Sequence, residues 1–89
     1  MADIRLSDEL GQELRSRREA LGLSKLQLAK KAGKVREVIY RLEDGKDTSV
    51  SSLLAVMRAL GLVLKLERAG LPSAKEIARR FQDEDTGAS

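Results

Sequence analysis

Two short apolar stripes on either side of one glycine constrain this chain more than anything else in it. Within residues 23–45, LSKLQLAKKAGKVREVIYRLEDG, Leu28, Ala29 and Ala32 stand at helical spacing before Gly33. Val35, Val38, Ile39 and Leu42 do so after it, and Gly45 follows. Ser24 with Gln27 three residues on is a capping-box pattern that starts the first of these helices, and Gly33 stops it. Helices this short are marginal alone in water, so the two must pack on each other and on their neighbours.

The rest of the chain supplies those neighbours. Ser7 is an expected N-cap, with Asp8 and Glu9 where a helix N-terminus favours negative charge. A first helix then runs to about Leu21, with Leu10, Leu14 and Leu21 on one face and Gly22 as its stop. After a polar loop over 44–49, a further helix starts near Ser49 or Ser51, carries Leu53, Leu54, Met57 and Leu60, and ends at Gly61. These stripes are core. Beyond Gly61 the period changes to two, with Leu62, Leu64 and Leu66 alternating with Val63, Lys65 and Glu67, a strand signal. The other strand candidate is Ile4–Leu6. The segment 62–66 therefore pairs with that arm, pairs with its copy in a second subunit, or extends the core as a loop. Ser73 and Glu76 form another capping-box pattern, just after Pro72, for a last helix to about Phe81 with Ile77 on the same face; the acidic end 82–89 is expected to fray.

At 89 residues the chain makes one small domain with a modest core. With one Phe, one Tyr and no Trp, aliphatic residues must fill that core. The absence of Cys and His excludes a disulfide scaffold, a zinc finger, a thiol nucleophile and a histidine base. No carboxylate cluster or glycine-rich phosphate loop stands out. We therefore expect no enzyme, no cofactor and no metal. No apolar run reaches the ~18 residues of a membrane span, and the acidic beginning lacks a signal core, so a soluble cytoplasmic protein is expected. The net charge of +3 is unevenly spread: residues 25–46 carry +4, while 1–24 and 67–89 each carry −1. A basic surplus on a helix pair suits a polyanion; alone it would equally suit a solvated face.

A helix pair around a tight glycine turn is also the geometry of a DNA-reading helix-turn-helix. The run 21–24 (LGLS), Leu28-Ala29, Ala32-Gly33, Ile39, Arg41-Leu42-Glu43 and Gly45-Lys46 resemble the lambda-repressor-like (Cro/XRE-type) helix-turn-helix family. Leu60-Gly61-Leu62 and the alternation after it are similar to its HipB-like antitoxin branch. The resemblance covers about residues 8–68. It implies an all-α, compact four- to five-helix lambda-repressor-like bundle with a short C-terminal β-strand that pairs in a dimer. It divides the chain into a DNA-binding domain at 1–61, a dimerising strand at 62–68 (Leu62, Val63, Leu64, Lys65, Leu66), and a C-terminal helix and tail at 69–89.

In such a motif the start of the second helix enters the major groove. With 35, 38, 39 and 42 facing inward, Arg36, Glu37, Tyr40 and Arg41 face out, and the resemblance implies base contacts there. Arg36 suits guanine and Glu37 a cytosine amino group. Glu37 could instead pair with Arg41 or Lys34. Tyr40 could touch a thymine methyl, touch a phosphate, or lie on the helix surface. Ser24 and Lys25 at a helix N-terminus, Lys34 in the turn and Lys46 after the second helix are the phosphate candidates. Arg18 and Glu43 match family positions that form a structural ion pair between the first helix and the end of the reading helix. The chain departs from the family twice. Lys25 stands where Gln is usual, and Lys34 follows the glycine where an apolar residue is usual. Val35 is the residue available to fill that core site, which leaves the reading helix's register open by about one residue.

The resemblance implies a repressor that binds double-stranded DNA as a homodimer on a palindromic operator. The alternative is an antitoxin that neutralises a cognate toxin and autoregulates its own operon, with Ile77 and Phe81 either docking the toxin or folding back on the body.

Overall fold

The structure, a computed structural model, describes residues 3–69. Among them are four helices: α1 (Ser7–Ala20), α2 (Lys25–Ala32), α3 (Arg36–Glu43) and α4 (Val50–Ala59). The helix expected near Ser73–Phe81, with Ile77 on its face, and the tail lie outside the described residues. Among the described residues, no helix is long and apolar enough to cross a membrane.

The helices start and stop for reasons written in single residues. Ser24 caps α2 as expected: its Oγ accepts from the Gln27 amide at 3.0 Å, and Gln27 Oε1 accepts from the Ser24 amide at 2.7 Å. Ser49 caps α4, accepting from the Ser52 amide at 3.1 Å. The start of α1 differs from expectation. Ser7 is already helical and Leu6 occupies the N-cap position, where it has no acceptor to offer. Glu9 compensates: its Oε1 accepts from the amides of Arg5 (3.0 Å) and Leu6 (2.9 Å). At the other end of α2, Gly33 takes φ +68°, and the Lys34 amide donates back to Ala29 O at 2.9 Å. This is the Schellman closure, open to glycine because it lacks the Cβ that the left-handed region penalises. The same six-residue hydrogen bond closes α1 (Leu23 to Arg18 O), α3 (Lys46 to Arg41 O) and α4 (Leu62 to Met57 O).

α3 packs on α1, α2 and α4, and α2 also packs on α4. The core they enclose holds Leu14, Leu28, Ala29, Ile39, Leu42, Val56, Met57, Ala59 and Leu60. Leu14, Leu28, Ile39 and Val56 are fully buried, and each such side chain contributes about 1.5–3 kcal/mol by leaving water. Three expected core residues do not belong to it. Leu21 caps the end of α1 and is 54% exposed. Leu54 is exposed because α4 turns Ser52, Val56 and Ala59 inward instead. Val35 is 68% exposed, since it is the extended N-cap of α3 and its side chain sits outside the helix it introduces. Val38, Ile39 and Leu42 supply that interface without it, and Lys34 is half-buried. α3 begins at Arg36.

No strand occurs among the described residues. Leu62 packs partly against the core, while Val63, Leu64, Lys65 and Leu66 are exposed. Among the described residues, the arm at 4–6 forms no ladder with them.

Candidate nucleic-acid interface

The mount of α3 decides what α3 can present. Gly11, in the middle of α1, lies so close to the end of α3 that a Cβ there would meet the carbonyl oxygens of Leu42 and Glu43 at 2.5 Å. One turn earlier, Gly45 closes against the Asp8 backbone: a Cβ on it would lie 2.9 Å from Asp8 N and Cα. Across this seam Arg18 makes a forked contact with Glu43, Nε to Oε2 at 2.6 Å and Nη2 to Oε1 at 3.1 Å. Its Nη1 donates to Leu23 O at 2.9 Å, in the turn that leads into α2. The two side chains are 10% and 3% exposed. The hydrogen bond to Glu43 raises the Arg18 guanidinium above its ordinary value, against burial, which lowers it. A raised pKa keeps its stabilising share intact below the ordinary value and loses it only as pH climbs past the raised one. From the arginine side, the clasp is therefore insensitive to pH near neutrality.

Held this way at its C-terminal end, α3 leaves its first turn outward. Arg36 and Glu37 are both exposed. Among the described residues, neither makes an ion pair within 4.0 Å, so the pairing of Glu37 with Arg41 or Lys34 is not formed. The opening amides of α3 carry no side-chain cap, because Val35 has no acceptor. One turn on, Tyr40 is 42% exposed and its ring faces α2, with Lys25 Nζ 4.0 Å from its centroid and Arg36 Cζ at 5.9 Å. Arg41 is half-buried; its Nε donates to Asp47 O at 2.9 Å and so holds the loop after α3. Lys46 is exposed just past the end of α3. The structure thus brings together Lys25, Tyr40 and Arg36, and separately Arg18 with Glu43.

The Helix-turn-helix domain family matches residues 9–71, most of the chain. The chain belongs to this family. In helix-turn-helix terms α2 and α3 are the motif, and α1 and α4 pack against it. Comparison with curated proteins gives no match. Solved structures do match. The chain is similar to one in the HipA-HipB-O2-O3 complex, with 22% identity over 79% of this chain and 100% of that one and a TM-score of 0.72. It is similar to one in the HipB-O4 20mer complex, with 22% identity over 79% and 100% and a TM-score of 0.73. It is also similar to an MDT protein, with 24% identity over 79% and 100% and a TM-score of 0.72. At these identities the likeness is one of fold.

Three contacts escaped the sequence reading. The Arg41–Asp47 bond and the ring contacts of Tyr40 join residues whose spacing carries no signal. Gly11 did carry one: an isolated glycine inside a helical pattern costs about 1 kcal/mol against alanine and usually marks a close packing approach.

Proposed function

We propose that this chain is a sequence-specific DNA-binding regulator whose reading helix is α3. The observation that carries it is the first turn of α3: Arg36 and Glu37 exposed and unpaired with each other's neighbours, on a helix start without a side-chain cap. Arg36 reaches a guanine edge and Glu37 a cytosine amino group. Tyr40 and Arg41 flank them, Arg41 with its two terminal nitrogens beyond the Nε that holds the loop. The amides at the start of α3 and the side chains of Ser24, Lys25, Lys34 and Lys46 face backbone phosphates. One eight-residue helix reads too few base pairs for useful discrimination, so two copies act on a palindrome. The exposed alternation Val63-Leu64-Lys65-Leu66 supports their pairing edge to edge, since it forms no ladder with any of the described residues.

Selection of bound duplexes from a random pool tests this reading. A palindrome is expected, and its recovery would give the half-site spacing; no enrichment over the starting pool would end the proposal. Sedimentation tests the pairing: a dimer is expected, with Leu64→Asp and Leu66→Asp shifting it toward monomer.

A second reading is that the regulator is also an antitoxin. It is supported by the fold likeness to a chain in a complex that holds both HipA and HipB. Copurification with the product of an adjacent toxin reading frame is the expected result under this reading, and a gene neighbourhood without such a frame would count against it.

A further inference from the structure

Lys25 opens α2 and Arg36 opens α3, and the ring of Tyr40, one turn into α3, lies within reach of both. Both distances fall inside the ~6 Å over which a cation is drawn to an aromatic face. Lys25 is half-buried, so its long side chain is laid down on the surface rather than trailing in water. Among the described residues, neither cation has a carboxylate within 4.0 Å. That combination is informative. A salt bridge would fix a lysine by neutralising it, whereas a ring fixes it and leaves its charge whole. Two like charges at the mouths of neighbouring helices would also repel, and the negative face of the shared ring offsets this. Such a unit is suited to a ligand that offers two adjacent acceptors to a pair of cations.

The geometry points to Lys25, Tyr40 and Arg36 acting as one recognition unit across the two helices, which takes a backbone phosphate on Lys25 and the neighbouring guanine edge on Arg36. Tyr40 is its positioning residue, and its own reading of a base is not needed. This deepens, and rests on, the DNA-reading role of α3.

The test uses the full chain, its Tyr40→Phe, Tyr40→Leu and Lys25→Gln variants, the Tyr40→Leu/Lys25→Gln double variant, and the duplex that selection recovers with the parent. In the free protein, the Lys25 Hε resonances are expected upfield of their ordinary position in the parent and in Tyr40→Phe, and at that position in Tyr40→Leu. Ordinary Lys25 shifts in the parent overturn the unit without any variant having to fold. On the duplex, Tyr40→Phe is expected to bind within about twofold of the parent, and Tyr40→Leu about tenfold more weakly. Tyr40→Leu should also lower the slope of log affinity against log salt by about one, as one phosphate contact is loosened. Once Lys25→Gln is present, Tyr40→Leu should cost little more. Losses that multiply instead overturn the unit while leaving DNA reading intact; a parent that enriches no duplex overturns the DNA reading itself.

Discussion

The two ends of α3 are built in opposite ways. At its C-terminal end the helix is clasped: Glu43 is enclosed by the Arg18 fork, Arg18 is shared with Leu23 O, and backbone meets backbone at Gly11 and Gly45. At its N-terminal end the charges of Arg36 and Glu37 stand unneutralised on an uncapped turn. A single eight-residue helix is thus anchored at one end and left open at the other. The contrast separates stability from recognition. Substitutions at the anchored end should unfold the protein, and those at the open end should change what it binds while the fold persists.

The largest effect tests the anchor. Arg18→Ala strands a carboxylate that is only 3% exposed, and breaking a buried pair in this way costs about 3–5 kcal/mol. Arg17→Ala, one residue earlier, loses a 3.0 Å pair with Glu13 on the half-exposed face of α1, worth about 0.3–0.5 kcal/mol. In a domain of this size each kcal/mol moves Tm by roughly 4–8 °C, so thermal melts should separate the two variants plainly. Equal Tm values would dissolve the contrast. Gly11→Ala comes next. The atoms its Cβ would meet are backbone carbonyls, which cannot rotate away, so the helices must part at about 1–3 kcal/mol. Alanine's better helix propensity recovers up to about 1 kcal/mol, and a Tm that rose on this substitution would show that propensity wins. Ser24→Ala removes the cap of α2 and is expected to cost about 1 kcal/mol, read by denaturant midpoint at unchanged slope. Smallest for stability, and sharpest for the comparison, is Arg36→Ala. It should leave stability within about 0.5 kcal/mol of the parent while relaxing discrimination at one symmetric operator position by about 1–3 kcal/mol. If Arg36→Ala bound every operator variant as the parent does, Arg36 would not be the reader.

Much of the anchored end was legible in the sequence. The glycine after each helix, the Ser24–Gln27 reciprocal cap and the large residues Leu14, Leu28, Ile39 and Leu42 all declare themselves by type and spacing. The Arg18–Glu43 pair, 25 residues apart, came only from family resemblance, because no local pattern joins two such distant charges. The errors have a common cause. Apolar residues at a helical interval suggest a core place for Val35, Leu21 and Leu54, but the interval does not say where a helix begins or which of two adjacent stripes faces in. In α4 the buried residues are Ser52, Val56, Met57 and Ala59, so two small residues share the inward face with two larger ones. There the Ser52 hydroxyl is satisfied by Ser49 Oγ at 2.9 Å. The open end was legible in composition, as a local surplus of positive charge, but the contact that gathers Lys25 and Arg36 on Tyr40 depends on how α2 and α3 cross.

Viewed as a polymer rather than as a set of helices, the stretch from Arg18 to Glu43 is a loop tied off by one clasp, with a second knot at Leu23. Closing a loop of this length carries an entropy cost that grows only as the logarithm of its length. Because the clasp is tied during folding, that cost falls on folding alone. Anything that α3 binds would meet a helix whose tether is already fastened, so association need immobilise little more than the side chains that touch.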